Sequence, residues 1–498
     1  MSTFHGLEMA KQALFTQQSA LYTTGHNISN ANTDGYTRQR VNFETMNPYP
    51  SASRNRPQIP GQMGTGVQVG SVERIRNSFL DYQFRAENSK TGYWNTKADA
   101  LSRMENLMNE PSDNGLSKTM DKFWQSLQDL AVNPENSGAR SVVVQRGLAV
   151  AETFNYLSKS LNTVRSDLKN EIDVTVKDAN SILRQINGIN EQVKQLEPHG
   201  YVANDLYDER DRLIDELSNI INIKVSYEKS GDSSPAIADG LAKIEVVDTS
   251  GKPLGVTLLE PGTGVINEIS AGYAEDDTAG VTALMAGGQS IIESNGSLKG
   301  LIESYGLETN GSVSGVYTDM LSNLDKMAVE FTNAFNLIHT DGFDLNGNKG
   351  ENFFTNASGN GAAGSITIDQ ALLKNSDLLA ASSTKGNAGN GDNASALAGV
   401  FNQNLDGLGS KTSVNSFYQS LIGELGVNSQ EAIRMENSTN ILRSQVENQR
   451  MSVSSVSLDE EMSNMIKFQH AYNAAARSMT TTDEMLDRII NSMGLVGR

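Results

Sequence analysis

The sequence contains no cysteine in its 498 residues. This absence excludes disulfide bonds, metal sites built on thiolates and catalysis by a thiol. It also suits a chain that is exported unfolded, since no pair of thiols can cross-link during the passage.

Basic residues are few relative to acidic ones. The chain has 40 lysines and arginines against 59 aspartates and glutamates, and its formal net charge is −19. Nucleic-acid binding requires a basic surface that neutralises phosphates, and anionic membranes attract basic segments in the same way. We therefore expect neither nucleic acid nor a membrane as a partner.

Long apolar runs are missing as well. No run approaches the length of about 18 residues that a membrane-spanning helix needs. The first residues, MSTFHGLEMAKQ, contain neither an apolar segment of signal-peptide length nor a small-residue cleavage site. If the chain leaves the cytoplasm, we expect it to do so without a cleaved signal peptide.

Both ends of the chain carry apolar residues spaced seven apart. The N-terminal line is Leu7, Leu14, Leu21 and Ile28. The C-terminal line, which Phe468 and Ile490 widen, is Leu458, Met465, Tyr472, Met479, Leu486 and Met493. A narrow stripe with this period is typical of helices that pack lengthwise against other helices.

The middle of the chain begins as a helical region. Apolar residues spaced by three and four between Phe154 and Leu196 predict one helix from about 140 to 197, on the order of 85 Å long. The sequence EPHGY (197–201) predicts a sharp turn after it. A helix of this length indicates an elongated molecule.

Two later regions differ in composition. Residues 222–294 alternate β-branched residues with Gly, Asp and Ser, which predicts strands. Residues 341–410 are rich in Gly, Asn, Asp and Ser, and within them SITID (365–369) predicts a strand. Helical periodicity lies between these regions and follows the second one.

These patterns predict a mainly α protein with a β-rich insertion and an elongated, multi-domain shape. The N- and C-terminal helices are expected to pair as a coiled-coil-like shaft around which outer domains are nested. The expected domains are terminal assembly helices (1–50 with 455–498), a long helical shaft domain (51–222 with 295–340 and 411–454), a β-rich outer domain (223–294) and a Gly/Asn-rich insertion with short strands (341–410).

The loop HTDGFDLNGNKGENFF (339–354) resembles a calcium-binding loop in part. With Gly347 at the sixth position, Asp344 and Asn346 fit positions three and five. The positions of the first carboxylate and of the bidentate glutamate hold other residue types. A turn built on Asp, Asn and Gly is the better interpretation.

Two further segments have an ordinary structural interpretation. In NDLYDERDRLIDEL (204–217), Asp208 and Arg212 are four apart, as in a surface ion pair, and we expect a helix with a solvated charged face. GTGVQVG (64–70) misses a dinucleotide-binding motif by one residue and predicts a turn before a strand. The five histidines are scattered and none has metal-ligand spacing, so we expect no enzyme, no metal and no cofactor.

Seven segments, in this order along the chain, resemble one family: ISNANTDGYTRQRV (28–41), GTGVQVGSVERIRNSFLDYQFR (64–85), ENSGARSVVVQRG (135–147), NDLYDERDRLIDELS (204–218), GSLKGLIES (296–304), DGFDLNGNKGENFF (341–354) and SLDEEMSNMIKFQHAYNAAARSMTTTDEMLDRIINSMG (457–494). The first and the last are similar to the ends of bacterial flagellar rod and hook proteins. Within that group, LDEEM (458–462) and FQHAYNAAAR (468–477) are most similar to the hook–filament junction proteins, the first of the hook-associated proteins.

The resemblance implies a structural axial protein of the flagellum that forms the junction between hook and filament. Its terminal helices would be disordered in the free subunit and would order on copolymerisation. The turn from Asn30 to Gly35 would end the inner helix, and the residues after it would contact adjacent subunits. The implied assembly residues are Leu7, Leu14, Leu21, Ile28, Asn30, Asn32, Gly35, Tyr36, Arg38, Gln39, Leu458, Met465, Phe468, Tyr472, Met479, Leu486 and Ile490.

The same resemblance implies partners and a location. The partners would be the hook protein on one side, the next hook-associated protein on the filament side, copies of the chain itself in a ring, and an export chaperone on the C-terminal helix. The location would be extracellular, at the hook–filament junction, after type III export.

Two alternatives remain open from the sequence. The first is another axial protein, such as a hook or distal rod protein, because these share the N-terminal motif. The second is an extracellular hydrolase carried on a flagellar scaffold, for which Glu245, Glu260 and Glu268 are the available carboxylates.

Overall fold

The computed structural model describes residues 4–492 apart from 51–53, 55, 59, 109, 111, 113–114, 275–279 and 410–411. Met493, the last position of the C-terminal apolar line, lies outside the described residues. The helices are α1 His5–Ser29, α2 Ser78–Met108, α3 Leu116–Val132, α4 Ser137–Leu196, α5 Asn204–Ile220, α6 Ser297–Tyr305, α7 Val316–Asp341, α8 Ala362–Ser365, α9 Gln370–Lys374, α10 Asp392–Gly399, α11 Val414–Ser454 and α12 Leu458–Ser492.

The strands are short and are divided among four sheets in the described residues. Their bounds are β1 Gln39–Thr45, β2 Val67–Arg74, β3 Ile223–Glu228, β4 Leu241–Val247, β5 Pro253–Glu260, β6 Val265–Ile266, β7 Ile269–Tyr273, β8 Val281–Ala286, β9 Gln289–Ser290, β10 Leu307–Thr309, β11 Ser312–Ser314, β12 Phe354–Thr355 and β13 Thr367–Ile368.

The 60-residue helix α4 is the longest element of the shaft, at about 90 Å. Asn136 caps its start, because the Asn136 Oδ1 accepts hydrogen bonds from the backbone N–H groups of Gly138 (2.9 Å) and Ala139 (3.2 Å). After its end, Gly200 has φ +87° and turns the chain back into α5. The predicted long helix and the turn after it are confirmed.

Helices surround α4 and α2. α3, α5 and α6 pack on α4, and α11 packs along α2. The buried apolar side chains from Ala98 to Ala432 form one continuous core. Since α4 contributes an apolar residue to that core at every turn, the shaft is held together along its length.

Two mainly antiparallel sheets lie against α4. Strands β3 to β9 fall within residues 222–294, as predicted, whereas β10 and β11 lie beyond that region and were not predicted. One has the strand order β3-β4-β5-β6 and the other β11-β10-β8-β7, with β9 added to β8 and a parallel pairing between β10 and β8. Two asparagines of α4 tie the sheets to the shaft. The Asn180 side chain exchanges two hydrogen bonds with the Ile269 backbone (both 2.8 Å), and Asn190 does the same with Ala242 (2.9 and 3.0 Å).

The Gly/Asn-rich segment 341–410 packs on the shaft through apolar side chains. Its strands β12 and β13 pair, as the SITID pattern predicts in part, and the short helices α8 to α10 were not predicted. Six phenylalanine rings pack against one another, mostly tilted or edge-on, with centroids 4.8–6.1 Å apart: Phe123, Phe331, Phe335, Phe353, Phe354 and Phe401. The segment thus shares the core of the shaft. That residues 341–410 form a domain of their own stays a prediction.

The loop with partial calcium-loop character is a hydrogen-bonded turn. The Asp344 Oδ1 accepts hydrogen bonds from the backbone N–H groups of Asn346 (2.9 Å) and Asn348 (2.7 Å), and Gly347 has φ +80°. This confirms the interpretation as an Asp/Asn/Gly turn. Across the described part of the chain, no helix is long and apolar enough to span a membrane.

Candidate assembly interface

The two ends of the chain come together in one unit. α1 and α12 pack lengthwise against each other, and α1 also packs on the β1–β2 hairpin. We call α1, β1, β2 and α12 the terminal unit. The turn before β2, where Gly66 has φ +112°, confirms the prediction for GTGVQVG.

The most deeply buried residues of α1 are small or polar. They are Ala10, Thr16, Ala20, Thr24 and Asn27. Small side chains let the helix approach its neighbours closely, and the Thr16 Oγ1 donates a hydrogen bond to the Val67 carbonyl (3.1 Å). The predicted line of Leu7, Leu14, Leu21 and Ile28 is half-buried at the edge of this contact.

On α12 the predicted line faces the rest of the unit over most of its length. Leu486 is buried, and Met465, Phe468, Tyr472 and Met479 are half-buried. The ring of Phe468 meets that of Phe43 edge-on, with centroids 5.9 Å apart. Leu458 and Ile490, at the two ends of the helix, are exposed by 48% and 70%.

Large apolar side chains on more than one side of this helix pair have no cover within the described chain, and we call them together its uncovered apolar face. Its exposed large apolar side chains are Met9, Phe15, Tyr22, Met462, Ile466, Met485, Ile489 and Ile490. Exposed apolar residues in this number mark a surface for protein contacts rather than solvated helices.

The Asn-rich turn (residues 30–36) ends α1. The Asn30 Nδ2 donates to the His26 carbonyl (3.1 Å), and the Thr33 hydroxyl donates to the Asn30 Oδ1 (3.1 Å). Gly35 has φ +77°, which favours glycine, and Asn32 is exposed. The predicted role of this segment in terminating the helix is confirmed.

Asn27 holds the chain that leaves this turn. It is buried, and its side chain exchanges hydrogen bonds with the backbone of Gln39 (2.8 and 3.0 Å) while its Oδ1 also accepts from the Tyr36 hydroxyl (2.8 Å). Sequence analysis did not select Asn27 as a site residue. The available signal was its position in the sequence, one residue before Ile28, the last apolar residue of the N-terminal line.

Two motifs from opposite ends of the chain bind each other. The Arg38 Nε lies 2.8 Å from Glu461 and its Nη1 lies 2.7 Å from Glu460, so the residues after the Asn-rich turn contact the LDEEM motif. The buried Gln39 donates from its Nε2 to Asp205 of α5 (3.0 Å). We expected Arg38 and Gln39 to contact adjacent subunits. In the structure, both residues bind partners in the same chain.

Behind the turn lies a cluster of charges, the arginine–aspartate cluster. It consists of Arg74, Arg76, Arg85, Arg450, Asp81, Asp208, Asp211 and Asp215. These residues come from β2 and the chain after it, α2, α5 and α11. Asp239 and Glu447 pair in addition with Arg74 and Arg450, so each arginine of the cluster has at least one carboxylate partner.

Asp211 is the centre of the cluster. Its carboxylate lies 2.9 Å from Arg76, 3.0 Å from Arg74 and 3.1 Å from Arg85. Burial by itself would raise the pKa of Asp211, but attraction to these arginines holds that pKa well below its ordinary value. Asp211 is therefore an anion at neutral pH.

The expectation of a solvated charged face on α5 holds for Glu209, Arg212 and Glu216 but is wrong for Asp208. Asp208 and Asp211 are buried, and Arg212 pairs with Glu209 (2.7 Å) and Glu216 instead of Asp208. Spacing along one helix shows only which residues share a face. That face is covered here by arginines from β2 and α2, which lie more than 100 residues away in the sequence.

The carboxylates of the hydrolase alternative are bound in surface ion pairs. Lys243 lies 3.0 Å from Glu260 and 3.9 Å from Glu245, and Arg184 lies 2.8 Å from Glu268. Among the residues that the structure describes, no group of three or more potential ligands could hold a metal ion.

Three family models match the chain. The one described as "Flagellar hook-associated protein FlgK helical domain" matches residues 101–354. "Flagellar basal body rod FlgEFG protein C-terminal" matches residues 447–493, and "Flagella basal body rod protein" matches residues 7–37. The rod-type models thus cover the two ends, and the FlgK model covers most of the shaft.

Known proteins agree with these matches. Flagellar hook-associated protein 1 of Bacillus subtilis (strain 168) is 48% identical over 507 residues, which are 100% of both chains, and that of Escherichia coli (strain K12) is 25% identical over 97% of this chain and 98% of its own. The structure of the flagellar hook junction protein FlgK from Burkholderia pseudomallei has the same fold, with a TM-score of 0.58 at 14% identity over 75% of this chain and 100% of that chain. The chain therefore belongs to the FlgK family of flagellar hook-associated proteins, which are structural proteins of the hook–filament junction.

Proposed function

We propose that the chain joins hook and filament by assembling through the uncovered apolar face of α1 and α12. Its partners are hook protein on one side, the next hook-associated protein on the other, and further copies of the chain around the ring. The observation that carries this proposal is that face, on which Tyr22 and Ile490 are about 70% exposed. Each apolar contact contributes little, at about 25 cal/mol per Å² buried, but a ring of subunits makes many at once.

The sequence and the exposed apolar residues also support a proposal for how the chain reaches this location. We propose that the chain is exported unfolded and acts outside the cell. A chain without cysteine cannot cross-link on the way. The exposed apolar residues of α12 would aggregate before assembly, and an export chaperone bound to this helix would cover them.

The terminal helices are proposed to order only on assembly. The shaft core, as far as the chain is described, contains no residue of α1 or α12. Loss of order in these helices would therefore leave the core of the shaft covered.

A structural role is favoured over the alternatives. The hook and distal rod alternative accounts for the matches to the two ends but not for the FlgK helical domain at 101–354. The hydrolase alternative has no support from the carboxylates of the outer sheets, since Glu245, Glu260 and Glu268 are in ion pairs. We propose that the chain has no catalytic function.

The test is electron microscopy of the purified, tagged protein mixed with isolated hooks, with the tag labelled. Label at one hook end is expected. The double variant Ile466→Ser, Ile490→Ser should reduce the labelled fraction by roughly tenfold or more, since both side chains lose apolar contact area. Tyr156→Ser on α4 is the matched control, because Tyr156 is as exposed but lies on the shaft.

Two outcomes would contradict the proposal. Long tubes formed by the protein alone would indicate a hook- or filament-type subunit. Unchanged labelling by the double variant would show that the apolar face of the terminal helices does not mediate the assembly.

A further inference from the structure

The terminal unit and the shaft meet through charged and polar groups. The continuous apolar core of the described chain contains no residue of the terminal unit. In its place, β2 and the chain after it insert Arg74 and Arg76 among the carboxylates of α2 and α5. The backbone N–H of Thr37, directly after the Asn-rich turn, donates to the Asp208 carboxylate (3.0 Å).

The same cluster reaches the point where the chain returns to the terminal unit. Arg450, near the end of α11, pairs with Asp215 and lies over the ring of Phe84 at 4.2 Å. Four residues later, the carbonyl of Ser454 accepts a hydrogen bond from the Arg38 backbone (2.9 Å). Both connections between shaft and terminal unit are thus held at one place.

The geometry of this joint permits few orientations. Arg76 binds Asp81 with two nitrogens (2.7 and 3.0 Å) and Asp211 with the third (2.9 Å). A guanidinium is planar and binds carboxylates only along the directions of its N–H bonds. Rotation of the terminal unit about the joint would therefore break several bonds at once, whereas an apolar contact would permit sliding.

The energetics of buried charge also favour a single orientation of the terminal unit. A buried cluster of paired charges adds little stability beyond that of apolar packing, but loss of one partner is strongly destabilising because its counter-charge stays buried. Asp211, whose side chain is 3% exposed, holds three arginines in this way. The cluster penalises every arrangement except the one in which all its members are paired.

We infer that the arginine–aspartate cluster is the positioning device of the terminal unit: it sets the direction in which α1 and α12 leave the shaft. It thereby sets the direction in which their apolar face meets neighbouring subunits. This inference rests on the proposed function for the identity of those neighbours, and on the contacts of the single chain for the joint itself. The eight residues of the cluster are positioning residues rather than contact residues of the interface.

The test measures the orientation directly. Because the chain has no cysteine, Thr45→Cys on β1 and Gln445→Cys on α11 allow two spin labels to be attached without removing native thiols. Pulsed electron spin resonance then gives the distribution of distances between the terminal unit and the shaft, in the free protein and on isolated hooks. We expect one narrow distribution on hooks for the chain with otherwise native sequence.

Asp211→Asn keeps the shape of the side chain and removes its charge. We expect a broadened distance distribution and roughly 100-fold faster hydrogen exchange in β1 and β2, with unchanged exchange in α4. Glu216→Gln is the matched control, since Glu216 lies on the same helix but is exposed and pairs only with Arg212. Its distribution should equal that of the parent.

A second variant covers the case in which Asp211→Asn does not fold. Arg450→Gln removes the contact with α11 at the rim of the cluster and leaves Asp211 paired. It should therefore broaden the distance distribution, and Arg450→Lys should restore part of the order.

Two results would overturn the inference. One is that folded variants have the same distance distribution as the parent, and the other is that the parent itself has a broad distribution on hooks. Failure of the parent to bind hooks would overturn the proposed function instead, and the free protein would then decide the inference: broadening by Asp211→Asn supports it and an unchanged distribution overturns it.

Discussion

His339 is a residue at which stability is linked to pH. It is fully buried at the end of α7, where its Nδ1 faces the Glu351 carbonyl and its Nε2 accepts a hydrogen bond from the Ala380 N–H (3.0 Å). This pairing requires the neutral ring with the proton on Nδ1. Burial lowers the pKa of His339 from 6.5 to about 4.

We predict that acid destabilises the shaft through this side chain. Between pH 6.5 and pH 4 the unfolded chain binds a proton at His339 that the folded chain does not, so stability is full above pH 6.5 and falls by about 3 kcal/mol towards pH 4. In His339→Gln this part of the pH dependence should disappear, although the variant is less stable at pH 7. Denaturation midpoints at pH 7, 5.5 and 4.5 measure this pH dependence. His470→Gln, at an exposed site, is the control. Parallel curves for parent and His339→Gln would contradict the prediction.

Gly35 is the residue on which the shape of the Asn-rich turn depends. Its φ of +77° is strained for any other side chain, and a Cβ there would meet the side chain of Arg212 at 3.4 Å. We predict that Gly35→Val costs about 1–3 kcal/mol of local stability and blocks incorporation into hooks without unfolding the shaft. Gly25→Ala, where a Cβ meets nothing within 4 Å, should incorporate normally. Hook binding and circular dichroism are the measurements, and normal incorporation of Gly35→Val would refute the prediction.

At the scale of elements, two of the glycines of α4 have opposite roles. A Cβ on Gly147 would lie 2.7 Å from the ring of Phe353, which is fully buried among other phenylalanines, whereas a Cβ on Gly188 would meet nothing within 4 Å. Gly147 is therefore a place where segment 341–410 approaches the long helix closely.

The two positions predict changes of opposite sign in the free energy of unfolding. Gly188→Ala should stabilise the protein by up to about 1 kcal/mol, because alanine is the better helix former. Gly147→Ala should destabilise it by about 1–3 kcal/mol, because the packed ring of Phe353 must move. Urea denaturation of both variants at one pH compares them. A gain in stability for Gly147→Ala would show that the segment is not closely packed on α4.

The terminal helices illustrate how far an element can be predicted from its period. The seven-residue spacing correctly predicts α1 and α12 and the face of α12 that turns inward. It places the main contact of α1 on leucines, whereas Ala10, Thr16 and Ala20 are the more deeply buried. Burial depends on how closely the partner approaches, and small residues permit the closest approach.

At the scale of the whole molecule, the chain has an apolar shaft and a polar joint to its terminal unit. We predict that a chain of residues 30–457, which lacks α1 and α12, keeps the main thermal transition of the shaft within about 4 °C. The apolar core of the described shaft loses no member in this deletion. Calorimetry of both chains measures the effect.

A deeper deletion provides the contrast. Removal of α11 as well, leaving residues 30–413, uncovers α2 along its length and also removes Arg450 from the cluster. We expect this chain to lose the cooperative transition. If the shorter deletion already abolished the transition, the terminal helices would be part of the shaft's fold.

Much of the architecture depends on local pattern and is therefore predictable from the sequence. The steps of three and four along α4, the alternation in β3 and β4, and the heptads at both ends each recur within a few turns or residues. The short helices α8 to α10 escape prediction, because four to eight residues are too few to display a period.

The amino-acid sequence by itself determined the long helices, the strands between residues 222 and 294, the absence of thiol chemistry and the family. Only the tertiary structure decided that Asp208 and Asp211 are buried, that Arg38 binds Glu460 and Glu461 more than 400 residues away, and that one polar joint carries both ends of the chain. Periodicity describes which residues of one segment share a face. The partner of that face is set by chain segments distant in sequence, and the burial and pairing of a charge depend on that partner.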